Sequence, residues 1–201
     1  MIAGVVLAAG RSRRMGSSKP LLTLDGESFL ARVIGALRSG GCDEVVVVTG
    51  PADDDGSRLI AAEASSAGGR VIVNPVRNAE QLDSLRVGLS ALAERVEAAL
   101  VTPADLPGLD AATVGSLIRA FRARRMPIVL PTFGGAHGHP GLFSREVWPE
   151  LFTDPLPEGA RSVIRANPAH VEEVAVENDR VLLDVDTPAD LRRLLEGDGE
   201  R

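Results

Sequence analysis

The chain has 201 residues, of which 44% are hydrophobic and 25% charged, with a formal net charge of −6 and one cysteine. This length fits one domain, and the acidic balance argues against general nucleic-acid binding, which needs a broad basic surface. The single Cys42 excludes an internal disulfide and a thiolate zinc cluster. No apolar run is long enough for a membrane helix, so we expect a cytoplasmic globular protein.

Apolar runs and amphipathic stretches alternate along the first two thirds of the chain. Five runs predict buried strands, at Ala3–Ala8, Glu44–Thr49, Arg70–Val73, Ala98–Thr102 and Pro127–Pro131. The stretches between them predict helices at Ser28–Leu37, Ser57–Ala67, Leu82–Val96 and Ala111–Arg124. This rhythm predicts an α/β fold, a single-domain Rossmann-like three-layer sandwich in which helices cover both faces of a mainly parallel sheet.

The alternation breaks after Pro131, and the remaining elements are shorter. We expect a loop at 134–141, a short strand from Leu142, a short helix carrying Trp148 and Phe152, and a helix near Ala160–Arg165. Late strands are predicted at Val171–Val176 and Arg180–Asp184, followed by a helix that begins within 186–190. The domain then spans residues 1–196, and residues 197–201 form a charged tail.

A basic, glycine-flanked loop follows the first predicted strand. Residues 10–19 read GRSRRMGSSK, and the first 24 residues contain no acidic side chain. Backbone N–H groups and cations in such a loop can meet anionic oxygens at close range, which predicts a polyphosphate site. The loop matches neither the P-loop nor the G-x-G-x-x-G fingerprint, and the alternative interpretation is a solvated basic loop.

Asp105 is the candidate partner of this loop. It follows the predicted strand Ala98–Thr102, and ligands of open parallel sheets bind beyond the carboxyl ends of the strands. If the first and fourth strands are neighbours, Asp105 faces the basic loop. A carboxylate beside polyphosphate typically holds Mg²⁺, so we expect Mg²⁺ as the cofactor.

Several motifs together resemble one family. Residues 7–22, LAAGRSRRMGSSKPLL, are similar to the signature of MobA-like nucleotidyltransferases, and most similar to that of the molybdenum cofactor cytidylyltransferases. Further motifs follow in the family's order, at Asn74, Asp83–Leu85, Ala104–Pro107, Gly138–Pro140, Gly159–Arg161 and Asp184–Asp190. The resemblance implies the nucleotide-diphospho-sugar transferase type of fold, with an antiparallel strand late in the chain.

The resemblance also implies a reaction: a phosphate of the acceptor attacks the α-phosphorus of a nucleoside triphosphate, and pyrophosphate leaves. It implies that Arg14 and Lys19 hold the β- and γ-phosphates, and that Asp105 and Asp184 bind Mg²⁺. The expected catalytic residues are Arg14, Lys19 and Asp105. The nucleotide-binding set adds Leu7, Ala8, Ala9, Gly10, Asn74 and Ser84, and the acceptor-binding set is His139 and Arg161. Residues 1–105 would form the nucleotide half and 106–196 the acceptor half.

The same resemblance implies CTP as the nucleotide and molybdopterin as the acceptor, because Ala9 follows the cytidine pattern Leu-Ala-Ala-Gly and residues 138–140 read Gly-His-Pro. A molybdoenzyme would receive the product, and neither nucleic acid nor membrane would be a partner. Two departures from the pattern are Ala104, where glycine is usual, and Asp83, which adds a negative charge. Three alternatives stay open: another phosphorylated acceptor such as a sugar phosphate or deazaflavin precursor, a dinucleotide-using oxidoreductase, and a non-catalytic nucleotide-binding accessory protein.

Overall fold

A computed structural model describes residues 1–10 and 18–183 of the chain. The strands are β1 Ile2–Ala8, β2 Thr23–Leu24, β3 Glu27–Ser28, β4 Glu44–Thr49, β5 Arg70–Val73, β6 Ala98–Pro103, β7 Ile128–Phe133, β8 Ala136–His137, β9 Gly141–Ser144 and β10 Val171–Ala175. The helices are α1 Phe29–Ser39, α2 Asp55–Ser66, α3 Gln81–Ser90, α4 Ala111–Arg124, α5 Trp148–Leu151 and α6 Ala160–Ala166. Short 3-10 turns lie at Lys19–Leu21, Arg145–Val147, Pro168–His170 and Asp179–Leu182.

The main sheet has the order β10-β7-β9-β6-β1-β4-β5, with β8 paired to β7. Strands β6, β1, β4 and β5 pair in parallel, and β10 runs parallel to β7. Strand β9 is antiparallel to both β6 and β7. The predicted mainly parallel sheet with a late antiparallel strand is therefore confirmed.

Helices cover both faces of this sheet because successive side chains of each strand point to opposite faces. Ile2 and Val6 of β1 pack with buried residues of α1, α2 and α4. Ala3 and Val5, one register position away, pack with α3, α5 and α6 on the other face. The fold therefore has three layers, with the sheet between two layers of helices. Among the described residues, no helix is long and apolar enough to cross a membrane.

Two predicted elements are wrong in detail. The helix predicted to extend to Val96 ends at Ser90. Leu92 and Val96 are buried, and their spacing matches that of a helix face, but both residues belong to the turn that leads into β6. The strand predicted at Arg180–Asp184 is a 3-10 turn over Asp179–Leu182. Val181 is buried there, and the short apolar run 181–183, bounded by Arg180 and Asp184, is typical of a strand when only the sequence is known.

Cys42 lies in the turn between α1 and β4 and is buried. Burial, with a smaller contribution from the neighbouring Asp43 carboxylate, raises the pKa of the Cys42 thiol to about 12. Because the thiolate is the reactive form of cysteine, Cys42 is a packing residue and takes no part in the chemistry described below.

Helix α3 lies close to the centre of the sheet at Gly88. A Cβ atom at this position would lie 2.6 Å from Val5 Cγ1 and 3.0 Å from Val48 Cγ2. These are core atoms of β1 and β4, so neither neighbour can move away without disturbing the sheet. Glycine at position 88 therefore allows α3 to pack closely against β1 and β4.

We predict that Gly88→Ala lowers the free energy of unfolding by about 1–3 kcal/mol, the range for overpacking a filled core. The matched control is Gly35→Ala in α1, where nothing lies within 4 Å of the new Cβ. That variant should be more stable than the unaltered protein by about 0.5–1 kcal/mol, because alanine is the better helix former. Urea denaturation followed by circular dichroism measures both, and equal stabilities for the two variants would contradict the close packing of α3.

Candidate active site

The site is built at the carboxyl ends of β1 and β6, which are neighbours in the sheet. Leu7 is in register with Pro103, and the backbone N–H of Ala104 donates to the carbonyl of Leu7 at 3.1 Å. The next residue along the chain is Asp105. The first and fourth long strands are therefore neighbours, the condition under which Asp105 was expected to face the basic loop, and this pairing brings Asp105 beside the end of β1.

Lys19 faces Asp105 across this edge. Its Nζ atom lies 3.5 Å from Asp105 Oδ2, and the two side chains are 9% and 26% exposed. Lys19 opens the 3-10 turn Lys19–Leu21, whose Pro20 is buried and whose Leu21 packs against the core. The apolar stem of a lysine can be covered in this way while the ammonium keeps a polar partner. The turn therefore positions the Lys19 ammonium opposite the Asp105 carboxylate at this edge of the sheet.

This pair fits a divalent metal and a polyphosphate. Mg²⁺ takes one or two protein carboxylates and completes its shell with phosphate oxygens and water, and the Asp105 carboxylate is partly open to solvent. Within residues 1–10 and 18–183, no group of three His, Cys, Asp or Glu side chains could hold a metal ion. Asp105 thus suits a site in which the ligand's phosphates supply further oxygens.

Asn74 and Ser84 bond to each other beneath the surface. Asn74 follows β5 and is completely buried; its Nδ2 donates to Ser84 Oγ at 3.2 Å, and its Oδ1 accepts from the N–H of Val76 at 3.0 Å. Ser84, in the first turn of α3, is also buried. The structure thus brings these two predicted nucleotide-binding residues together, as a link between the end of β5 and the start of α3.

A cleft of about 1050 Å³ opens beside the end of β1. Its floor is apolar, and its rim carries charged and polar side chains from α3, α6 and the strands beyond β6. Both predicted acceptor-binding residues line it. The lining residues are Leu7, Gln81, Leu82, Leu85, Val101, Leu130, His137, Gly138, His139, Gly141, Phe143, Glu158, Gly159, Ala160, Arg161, Ile164, Arg165, Pro168, Val171 and Glu173.

The Gly-His-Pro loop is held against the turn Asp179–Leu182. The N–H of His139 donates to the carbonyl of Val181 at 2.9 Å. A Cβ atom at Gly138 would lie 2.6 Å from that carbonyl oxygen, so only glycine permits this approach. Arg161 reaches the cleft from the opposite rim, as an exposed residue of the first turn of α6.

Glu173 is a cleft residue that the sequence did not reveal. Its Oε1 lies 2.7 Å from His137 Nε2, so the two side chains are hydrogen-bonded at the rim. Glu173 is on β10, and only the pairing of β10 with β7 brings it near the loop that carries His137. Asp83 also has a role that the sequence left open: its Oδ2 accepts from the N–H of Glu80 at 2.9 Å, which caps the start of α3.

The four nucleotide-binding residues predicted at the end of β1 differ in their exposure to solvent. Ala8 is buried, Leu7 and Ala9 are half-buried, and Gly10 is exposed. Arg14 and Asp184, together with Arg11 and Arg13 of the basic loop, lie outside the described residues. The structure therefore assembles Leu7, Lys19 and Asp105 at one sheet edge, and His139 and Arg161 around the adjoining cleft.

Relatives of this chain include enzymes with different names. Nicotine blue oxidoreductase of Paenarthrobacter nicotinovorans is 30% identical, with 96% of each chain covered. A "Probable molybdenum cofactor guanylyltransferase" of Mycobacterium avium is 30% identical, with 96% of this chain and 94% of the relative covered. Molybdenum cofactor cytidylyltransferase of Escherichia coli is 28% identical over 92% of this chain and 91% of its own.

Solved structures show the same fold over nearly the whole chain. Rv0371c of Mycobacterium tuberculosis H37Rv superposes with a TM-score of 0.83 at 33% identity and covers 97% of this chain and 98% of its own. Its complex with manganese gives a TM-score of 0.79 at 32% identity, with the same coverage of both chains. The pattern of the MobA-like NTP transferase domain matches residues 4–174. The chain therefore belongs to the MobA-like NTP transferase family and is a nucleotidyltransferase.

Proposed function

We propose that this protein transfers CMP from CTP to a phosphorylated acceptor, molybdopterin, in a Mg²⁺-dependent reaction that releases pyrophosphate. The observation that carries the proposal is the contact between Lys19 and Asp105, at 3.5 Å, beyond the carboxyl ends of β1 and β6. A buried ammonium beside a partly open carboxylate provides a cation for phosphate oxygens and an anion for a metal. The relatives named molybdenum cofactor guanylyltransferase and cytidylyltransferase support the acceptor.

Each half of the domain has its own task in this proposal. In residues 1–105, backbone amides from Ala8 to Gly10 meet the base and sugar, Lys19 and Arg14 hold the β- and γ-phosphates, and the Asn74–Ser84 pair fixes the start of α3 beneath the nucleotide. In residues 106–196, His139 and Arg161 bind the acceptor. The cleft supports this division, because its walls come from both halves.

The chemistry needs positioning and charge neutralisation more than proton transfer. The attacking acceptor phosphate is already anionic, so no general base is required, and the leaving pyrophosphate is stabilised by Lys19 and Arg14. Asp105, with Asp184 as a second ligand, would hold Mg²⁺, which when bound neutralises charge on the phosphate oxygens. The relative Rv0371c, solved as a complex with manganese, supports a divalent cation.

Cytidine is favoured over guanosine at Ala9. This residue follows the last residue of β1 and is half-buried, so its methyl group takes up room where a larger base would have to approach the backbone. The backbone after β4 lies near Ala9, since a Cβ atom at Gly50 would be 3.9 Å from the Ala9 carbonyl oxygen. A pyrimidine is the smaller base and fits better here.

One relative supports a second candidate function. Nicotine blue oxidoreductase is 30% identical to this chain over 96% of both, so a dinucleotide-using oxidoreductase is the alternative. The chain lacks G-x-G-x-x-G, the fingerprint by which a Rossmann fold binds dinucleotides. We therefore rank nucleotidyl transfer first.

Pyrophosphate release separates the two functions. With Mg²⁺ and molybdopterin, we expect pyrophosphate from CTP, less from GTP, and none without acceptor. Phosphorylated sugars serve as the acceptor control. Oxidation of NADH or NADPH in the presence of nicotine blue, without pyrophosphate release from any triphosphate, would replace the proposal with the second candidate.

We predict that Lys19→Met and Asp105→Asn each lower kcat for pyrophosphate release by about 10²–10³, the range for losing one group that stabilises charge in a transition state. Both replacements keep the side-chain size, so the fold should survive, which circular dichroism checks. The control is Arg124→Met, which removes a 69% exposed cation whose Nη1 lies 3.3 Å from Glu172. Full activity of either site variant would show that this pair is not the phosphate and metal site.

Ala9→Gly tests the choice of base. Removing the methyl group should raise kcat/KM for GTP relative to CTP by about tenfold, the lower end of the effect of one methylene on substrate discrimination. Parallel pyrophosphate assays with both triphosphates give this ratio directly. Because it is a ratio, a general loss of stability does not change it, and an unchanged ratio would mean that Ala9 does not select the base.

A further inference from the structure

A short segment lies between the Asp105 loop, residues 104–110, and the Gly-His-Pro loop, residues 138–140. We call residues 178–183 the bridging segment; it begins at Asn178 and contains the 3-10 turn Asp179–Leu182. Asn178 Nδ2 donates to the carbonyl of Gly108 at 2.9 Å and to Asp110 Oδ2 at 2.7 Å. Its Oδ1 accepts from the N–H of Arg180 at 3.0 Å. The three bonds use both amide hydrogens and the oxygen of one side chain.

The rest of the bridging segment contacts the same two loops. A Cβ atom at Gly108 would lie 2.5 Å from Arg180 Cβ, so the Arg180 stem packs directly on the Asp105 loop. On the other side, the Val181 carbonyl accepts from the N–H of His139 at 2.9 Å. Val181 is itself buried. One short turn thus joins the loop of the proposed metal ligand to the loop of the proposed acceptor ligand.

Hydrogen bonds fix the Asp105 loop at several positions along its length. At its start, Ala104 bonds to Leu7, and at its end Asp110 caps α4 by accepting from the N–H of Thr113 at 2.6 Å. Between them, Arg32 Nε donates to the carbonyl of Pro107 at 3.3 Å. The two bonds from Asn178 hold Gly108 and Asp110, in the part of the loop nearest α4. They link this part of the loop to the bridging segment, which in turn bonds to His139.

We propose that Asn178 is a positioning residue for the reaction: by holding Gly108 and Asp110, it sets the Asp105 carboxylate relative to the acceptor loop. This inference rests on the proposed function, since it takes Asp105 as a metal ligand. Asn178 does not touch the reacting atoms. It acts through the backbone that carries Asp105, so its loss weakens metal binding in the nucleotide complex and leaves the contacts of the β1 loop with the nucleotide in place.

The test is Asn178→Ala, with Mn²⁺ as the probe. Free Mn²⁺ is measured by electron paramagnetic resonance with the protein and CTP but no acceptor, and is compared with the same CTP concentration without protein, because CTP itself binds Mn²⁺. We expect Mn²⁺ to bind about tenfold more weakly, the lower end of the effect of residues that orient metal ligands. The Mg²⁺ concentration for half-maximal turnover should rise to a similar extent, whereas the affinity for CTP measured in EDTA should stay the same.

Asn167→Ala is the matched control. Asn167 Nδ2 also donates to a carboxylate, Glu150 Oε2 at 2.6 Å, and to a carbonyl, that of Val163 at 3.0 Å. It lies at the end of α6, away from the bonds of the bridging segment, so its loss should leave Mn²⁺ binding unchanged. A loss of stability common to both variants is thereby separated from a specific effect on the metal.

Gly138→Ala supplies a second perturbation if Asn178→Ala does not fold. The new methyl group presses on the Val181 carbonyl from the acceptor side, 2.6 Å away, and should also weaken Mn²⁺ binding. The inference is overturned if the unaltered protein retains Mn²⁺ with CTP and the perturbed variants retain it equally well. If the unaltered protein does not retain Mn²⁺ with CTP, the proposed function fails, and the inference fails with it.

Discussion

The parallel pairing of β1 with β6 is the constraint on which the site depends. Parallel strands end at the same edge of a sheet, and the bond from the N–H of Ala104 to the carbonyl of Leu7 continues the pairing past the end of β6. Asp105 must then emerge beside the chain that leads to Lys19, although the two residues lie 86 positions apart in the sequence. The register of β1 with β6 therefore determines whether the charges of Lys19 and Asp105 can lie together, whatever conformation the loops adopt.

In the proposed function, the Lys19–Asp105 site would let an acidic protein bind a polyanion. The chain carries a net charge of −6, which repels a nucleoside triphosphate at long range. At the site, however, the buried ammonium of Lys19 is held by the turn that follows the basic loop, and its position is fixed by packing of Pro20 and Leu21. A fixed cation costs little reorganisation when charge builds up on the leaving group.

The acceptor side is organised by different forces. The cleft is lined by buried apolar residues and by charged and polar residues. Its loops are tied together by backbone and amide hydrogen bonds, with Val181 and Asn178 as the central groups. The family resemblance predicted His139 and Arg161 as acceptor-binding residues, and both line the cleft, but sequence reasoning missed Glu173 and Asn178. Neither has a local signature, because each acquires its neighbours only through the late pairing of β10 with β7 and the turn that follows.

The sequence by itself determined the class of the protein: the alternation of apolar runs and amphipathic stretches predicts a layered α/β fold, and the order of short motifs resembles that of the MobA-like nucleotidyltransferases, which implies nucleotidyl transfer. It also indicated Asp105, which follows a predicted buried strand, and Lys19, which closes the basic loop after the first strand and matches the family's signature. Only the tertiary structure decided that the side chain of Asn74 forms a buried hydrogen bond to Ser84. It also decided that α3 ends at Ser90, and that residues 179–182 form a 3-10 turn where a strand was predicted. The physical reason is that periodicity reports which side chains are buried, whereas the partner of a buried polar group, and the backbone that carries it, depend on contacts between segments distant in the chain.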